Sequence, residues 1–398
     1  MRQKKWIQGL YVVLMVAVLT VVGGVTATHY EKEGQLVFEN RLMEARPALT
    51  GESLAGGSYF SSLERFLCDR AAGRTTLLKL KTKVELEVLH RPVVNGVVAG
   101  AETLLAYQEY EAVDRETMAA QADEMARRLE ELQTVVESYG GTFLYVAVPA
   151  HYAYCEDKYP AWLNSRADYT KTELELFGAA MEARRVNWLD MGEVWESEGH
   201  PPEYMSVVDH HYTWAGAWST YQAVMARLNA ARLEPLRVLG EEDVEVRELP
   251  NPFLGSRSRK LCGQWAGDES FRYGVLREEL PVTRFDWGND TPSLAGWITQ
   301  PANDWESVFY GYMCGDISET VLQTDRPELP DALMFGDSFT NPLETIWYAS
   351  FDETRSLDLR YHTELSLLDY VEEYRPQVVV CVRDYEQMLN LYGNGSIQ

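Results

Sequence analysis

The sequence predicts an α/β protein, a parallel sheet with helices on both faces carried behind one N-terminal transmembrane helix. Three observations predict it. Between Lys5 and Glu31 there is no Asp, Glu, Lys or Arg. An amphipathic pattern over 118–139 passes through Gly140-Gly141 straight into the apolar run 142–148. The same unit, a helical pattern feeding a short apolar run, recurs twice further on. Wholly apolar strands alternating with helices are covered on both faces, as parallel strands are.

The first element is the span. Trp6 to Val25 is nearly all apolar, and crossing a hydrocarbon core takes about 20 residues. Arg2, Lys4 and Lys5 stand immediately before it. The positive-inside rule therefore predicts a cytoplasmic N-terminus and an extracytoplasmic remainder, in a single-pass protein of the cell membrane. A cleaved signal peptide competes, because Val25-Thr26-Ala27 offers small residues near a cut. The apolar stretch exceeds a usual signal core, so an uncleaved anchor over 1–28 is expected. The later apolar runs, 143–148 and 378–382, are far too short to span and read as buried strands.

Residues 29–110 come next as a loop-rich lead-in, exemplified by "ALTGESLAGGSYF". Within them, Val93-Val94-Asn95-Gly96-Val97-Val98 predicts a hairpin, since Asn-Gly supplies positive φ at both turn positions. The α/β domain is expected over 111–398. Its first helix carries Met118, Ala122, Met125, Leu129, Leu132, Val136 and Tyr139 at spacings of four and three, ended by Gly140-Gly141. Lys171–Arg185 into 186–190 and Glu364–Tyr374 into 377–382 repeat the unit. Residues from about 240 to 328 break the rhythm, with "NPFLGSRSRK", many aromatics and few periodic runs. They read as an irregular insertion on the sheet.

Composition narrows the partners. A chain of 398 residues with 46% hydrophobic residues belongs to a folded protein. Its formal charge of −25 repels phosphate backbones and argues against a nucleic-acid partner. The five cysteines, Cys68, Cys155, Cys262, Cys314 and Cys381, form no Cys-x-x-Cys pair, so neither a disulfide framework nor a zinc ribbon organises the fold.

Two motifs carry chemistry. "FGDSF" at 335–339 joins the apolar run 332–334 to a helix-like stretch with Pro342 in its first turn. That would set the Ser338 hydroxyl near a helix N-terminus, where unpaired N–H groups can hold an oxyanion. By itself, Gly-Asp-Ser is equally a helix-capping turn. The second motif is "SVVDHHYTWAGAWSTYQAV" at 206–224. Asp209 and His211 are one residue apart, ahead of a helix that Thr213 can cap. A histidine held by a carboxylate is what a serine hydroxyl needs for activation. Asp209-His210-His211 could instead bind a metal, but adjacent residues seldom converge on one ion and no spaced third ligand is evident, so none is expected.

The two motifs together resemble the SGNH hydrolase-like proteins of the alginate O-acetylation type, the AlgX- and AlgJ-like family, and more closely the bacterial DHHW family of exported proteins. The signature reads here as Asp209-His210-His211-Tyr212-Thr213, with the serine in Gly336-Asp337-Ser338. Further similarity runs through "ENRLMEARPALT", "NGVVAGAETLL", "FLYVAVPAHYAYCEDKYPAWL" and "SLDLRYHTELSLLDYVEEYRPQVVVCV". The resemblance implies an SGNH hydrolase-like, flavodoxin-like sheet. It implies Ser338 as nucleophile, His211 as base and Asp209 as orienting acid. Gly315, Asn341 and Tyr212 are the candidates for an oxyanion hole or the surrounding wall. Tyr212 stands where the family usually has Trp, and Asp316 succeeds Gly315 where Asn would be sought.

The activity so implied is O-acetyl transfer to a cell-surface or secreted polysaccharide, without a cofactor. The implied partners are the glycan acceptor and a multi-pass membrane acyltransferase. A carbohydrate esterase is the alternative within the same chemistry. A non-catalytic glycan-binding scaffold is the alternative outside it, motivated by Asp316 and Tyr212, with Trp265, Trp287 and Trp297 available to stack on sugars. Ser338 and His211 within hydrogen-bond reach in an open cleft would favour the enzymes.

Overall fold

The computed structural model describes residues 2–29, 34–107, 112–163, 166–265, 267–289 and 291–397. The chain forms two compact units, one of residues 1–99 with 258–266 and one of 100–257 with 267–398. The expected domain boundary at 110–111 lies outside the described residues.

In the first unit, α1 (Arg2–His29) contains a 21-residue stretch, Trp6–Thr26, that is apolar enough to cross a membrane and has no side chain buried within the protein. The stretch read as loop-rich holds three helices, α2 (Gly51–Ala55), α3 (Ser58–Asp69) and α4 (Arg74–Lys83). Their apolar residues recur at helical spacing but face outward. Thr50 and Ser53 close α2 with a capping box. The Asn-Gly hairpin forms as expected: β1 (Val93–Val94) pairs antiparallel with β2 (Val97–Ala99) across Asn95 at φ 50° and Gly96 at φ 75°.

The second unit holds the sheet. Helix α5 (Arg115–Ser138) starts on the Asp114 cap and buries Met118, Ala122, Met125, Leu129, Leu132 and Val136. It leads into β3 (Thr142–Val148), then α6 (Ala167–Arg184), β4 (Trp188–Asp190) and α7 (Trp214–Ala230). The stretch expected to be irregular contains strands. β5 (Val244–Glu248) and β6 (Arg272–Leu276) form an antiparallel pair of their own. β7 (Thr283–Asp286) and β8 (Glu319–Gln323) join the main sheet. The chain continues with β9 (Ala332–Gly336), α8 (Asn341–Trp347), β10 (Glu353–Leu357), α9 (Leu367–Tyr374) and β11 (Val378–Asp384).

The seven-stranded sheet runs β7-β8-β10-β9-β11-β3-β4. Its five strands from β10 to β4 are parallel, whereas β7 and β8 are antiparallel additions at one edge. The α/β fold is the expected one, with a parallel central sheet extended at one edge into a mixed sheet. The physical reason lies in β8, whose burial alternates along its five residues. A half-buried edge strand lacks the continuous apolar run that marked the central strands.

Side-chain parity sets the layers. Phe143, Tyr145 and Ala147 of β3, Leu333 and Phe335 of β9, and Val379 and Cys381 of β11 form one core with α5, α6 and α9. The residues between them point to the opposite face, where α7 and α8 pack against each other. Leu129 is fully buried in the α5 layer. Leu129→Ala is expected to cost about 2–5 kcal/mol, read as a lowered midpoint in chemical denaturation with an unchanged slope.

Candidate active site

The site forms at the carboxyl ends of the parallel strands, where open α/β sheets bind ligands. β9 and β11 run in register from Ala332↔Val378 to Gly336↔Val382, so the chain leaving Gly336 lies beside the chain leaving Val382. Gly336 has φ 150°, and a Cβ there would overlap the Val382 carbonyl. Only glycine turns the chain at this point. Asp337 then ties the turn down, accepting from Phe339 N at 3.0 Å and from Asp384 N at 2.8 Å.

Ser338, three residues ahead of α8, meets His211 from a loop 127 residues earlier. The Ser338 hydroxyl donates to His211 Nε2 at 2.6 Å, and His211 Nδ1 donates to Asp209 Oδ2 at 2.7 Å. His211 is buried, and the desolvation together with the neighbouring His210 lowers its pKa to about 4 despite Asp209. It is therefore neutral at pH 7 and able to accept the serine proton. Burial works against ionisation of Asp209, but the charges and hydrogen bonds of His211 and His210 outweigh it and hold the carboxyl well below its usual range.

Asp209 has donors on every side. Its Oδ1 accepts from Ser256 N at 2.7 Å and from His210 Nδ1 at 3.2 Å. Its own N–H donates to Ser206 Oγ at 2.9 Å, and buried Arg257 donates to its carbonyl. Gly255 lies so close that a Cβ would come within 2.5 Å of Asp209 Cβ. Glu269 supports the loop from behind, accepting from Ser206 Oγ at 2.7 Å and Val207 N at 2.9 Å, and burial pushes its carboxyl up to about 7.

The aromatic wall is equally specific. Tyr310 stacks on the His211 ring with centroids 3.7 Å apart and donates to the Ser338 carbonyl at 2.8 Å. Tyr212 is buried, meets Phe339 edge-on at 4.8 Å and donates its hydroxyl to the Phe339 carbonyl. A tyrosine in the place of tryptophan thus finds the partner its hydroxyl requires, and the hydroxyl is spent on the backbone beside the serine.

The oxyanion candidates divide. Gly315, Asp316 and Asn341 line a small cleft with Ser338. The Gly315 N–H donates to Tyr312 O at 3.2 Å. Asp316 pairs with Arg360 at 2.8 Å, a guanidinium that Asp358 shares. Asn341 accepts from Thr340 Oγ1 at 3.3 Å through its amide oxygen, which leaves the NH₂ group as its donor. Ser338 itself offers an N–H that no group among the described residues accepts.

Asp209, His210 and His211 bring three ligand atoms within 4.8 Å of one another. These donors are already used: both His211 nitrogens serve the Asp209–Ser338 chain, and His210 Nδ1 lies 2.8 Å from Ser256 Oγ. A metal would have to break that chain, so the set fits hydrogen bonding better than an ion. Trp297 stacks on Tyr348 at 4.9 Å, whereas Trp287 is 44% exposed. All five cysteines are free.

Sequence reasoning missed Tyr310, Gly255, Ser256, Arg257, Ser206 and Glu269. Most of these lie in or beside the stretch set aside as irregular; the "NPFLGSRSRK" run, with its glycine next to serine and arginine, was the available signal.

Residues 97–259 match a family model described as ALGX, an SGNH hydrolase-like domain of acetyltransferase AlgX. The match includes Asp209 and His211 and ends before Ser338. No curated protein matches the chain. Among solved structures it is similar to Bacillus cereus PatB1 with a sulfonyl adduct, at 19% identity and TM-score 0.61, over 73% of this chain and 95% of that one. It is also similar to a DHHW family protein from Eubacterium siraeum, at 18% identity and TM-score 0.55, over 75% of this chain and 93% of that one. The fold is SGNH-like, in agreement with the resemblance seen in the motifs.

Two measurements probe the geometry. With His211 as base, turnover of an activated acetate ester rises with pH through about 4, because the protonated ring cannot accept the serine proton. Asp209→Asn is expected to lower kcat by about 10⁴-fold through the wrong tautomer, with Ser338 acylation slowed rather than its site altered.

Proposed function

We propose that this protein is an extracytoplasmic O-acetyltransferase, held to the membrane by α1, that acts on a cell-surface or secreted polysaccharide through an acyl-Ser338 intermediate. One observation carries the reading: the continuous hydrogen-bond chain from Asp209 through His211 to Ser338 at the carboxyl end of the sheet. The SGNH-like fold and the acetyltransferase family model over 97–259 support it.

The reaction runs in two halves. Ser338 Oγ attacks the acyl carbonyl as its proton passes to His211 Nε2; the imidazolium, stabilised by Asp209, returns that proton to the departing donor oxygen. In the second half a sugar hydroxyl gives its proton to His211 and attacks the acyl-serine carbonyl, and Ser338 Oγ leaves with the proton. The Ser338 N–H and Asn341 NH₂ are the donors assigned to the oxyanion. A separate cavity of about 620 Å³ is lined by Asp209, Trp214, Phe253, Tyr310 and Tyr312, and neither Ser338 nor His211 borders it. The partner on this reading is a multi-pass membrane acyltransferase that delivers acetyl groups across the bilayer, and water in place of the sugar would make the same triad an esterase.

The scaffold alternative rests on Asp316 and Tyr212. The Tyr212 hydroxyl bonded to the Phe339 carbonyl weakens the second motive, while Asp316 keeps a partner in Arg360 that it shares with Asp358. The test is intact mass after incubation with an activated acetyl ester. One acetyl adduct is expected on the parent protein and none on Ser338→Ala. A folded parent that takes up no acetyl and turns over no ester would defeat the proposal.

A further inference from the structure

The helices after α1 within its own unit are built inside out. In α3, Phe60 and Leu67 are 60% and 52% exposed; in α4, Leu77 and Leu80 are each 57% exposed, and the chain continues outward with Val84 and Val88. Positions 60, 63 and 67 fall on one face, as do 77, 80, 84 and 88. The buried positions are polar instead: Asp69, Thr82 and Glu85. Asp69 is held by Arg41 at 2.6 Å, Thr82 faces Cys262, and Glu85 pairs with Lys81 and Arg91 at 3.0 Å each.

We propose that this apolar face of residues 51–89 lies in the interface of an anionic lipid bilayer, with its side chains at the boundary between headgroups and acyl chains. The proposal rests on the reading of α1 as a membrane span. Three features select lipid as the occupant. The Ala72 N–H donates to Thr26 Oγ1 at 2.9 Å, which sets the turn between α3 and α4 at the level where the apolar stretch Trp6–Thr26 ends. Residues 34–99 carry nine Lys and Arg against seven Asp and Glu, whereas residues 100–398 carry 23 against 52. An anionic surface therefore repels the rest of the outer chain and tolerates this segment. Beside the same turn, a cavity of about 510 Å³ is lined by apolar Val37 and Phe38, by Lys79, by Arg74 paired with Glu39, and by Asp69 held by Arg41, so apolar walls and cationic groups meet there as they do at a headgroup boundary. Exposed apolar side chains gathered on helix faces mark a docking surface.

The test uses the full chain in vesicles of phosphatidylcholine and phosphatidylglycerol with brominated acyl chains. A bimane label is placed at Leu67→Cys, at Leu80→Cys, at Val13→Cys, or on the native exposed Cys314, with the other exposed thiols changed to serine. Labels at 67 and 80 are expected to lose at least half their emission to the brominated lipid, while the label at 314 keeps its own. If 67 and 80 stay as bright as 314 while 13 is quenched, the span stands and the lipid-facing surface is refuted. Quenching at 67 and 80 without quenching at 13 supports the surface and refutes the span. No quenching at any of the three refutes both. Burial of 67 and 80 from a water-soluble maleimide in native membranes, without quenching in the vesicles, assigns the face to a protein and overturns the proposal.

Discussion

The site depends on one buried carboxylate being kept ionised. Asp209 is almost wholly removed from water, and an unpaired charge in that position would cost several kcal/mol. Its charge persists because Ser256 N, His210 and His211 all point donors at it. These donors come from two stretches of chain, 209–211 and 255–257, which the carboxylate locks together. His211 gains its orientation from the same bond, and its Nε2 accepts from the Ser338 hydroxyl. Loss of the carboxylate would release the loop and the imidazole together.

The sheet supplies the other half of the geometry. β9 ends at Gly336 beside Val382 of β11, and the absence of a Cβ at Gly336 lets the turn pass over the neighbouring carbonyl. Asp337 fastens the turn to Asp384, so Ser338 is presented from a rigid edge rather than a free loop. Tyr310 bridges the two halves, stacked on the imidazole and bonded to the serine's carbonyl. Rigid elements on both sides are what hold the Ser338 hydroxyl and the His211 imidazole at bonding distance.

Much of the fold was legible because its signal is local. The period of α5 and the unbroken apolar runs of β3 and β11 state their burial residue by residue, and the structure reproduces them at 115–138, 142–148 and 378–384. The edge strands β7 and β8 were illegible, since a strand covered on one side mixes polar and apolar residues like a loop. Helices α3 and α4 were illegible for the opposite reason: their apolar residues are periodic but face outward, and the polar ones are inside.

The sequence by itself determined the candidate triad's members, because a carboxylate one residue from a histidine and a serine after a strand-ending glycine are local chemical statements. It also determined the apolar N-terminal helix, whose length and lack of charge need no neighbours to be read. Only the tertiary structure decided which groups surround the triad. Arg360 on Asp316, Tyr212 on Phe339 and Ser256 on Asp209 join residues 44, 127 and 47 positions apart. Such pairings arise from how strands and loops stack at the sheet's edge, and no local pattern encodes them.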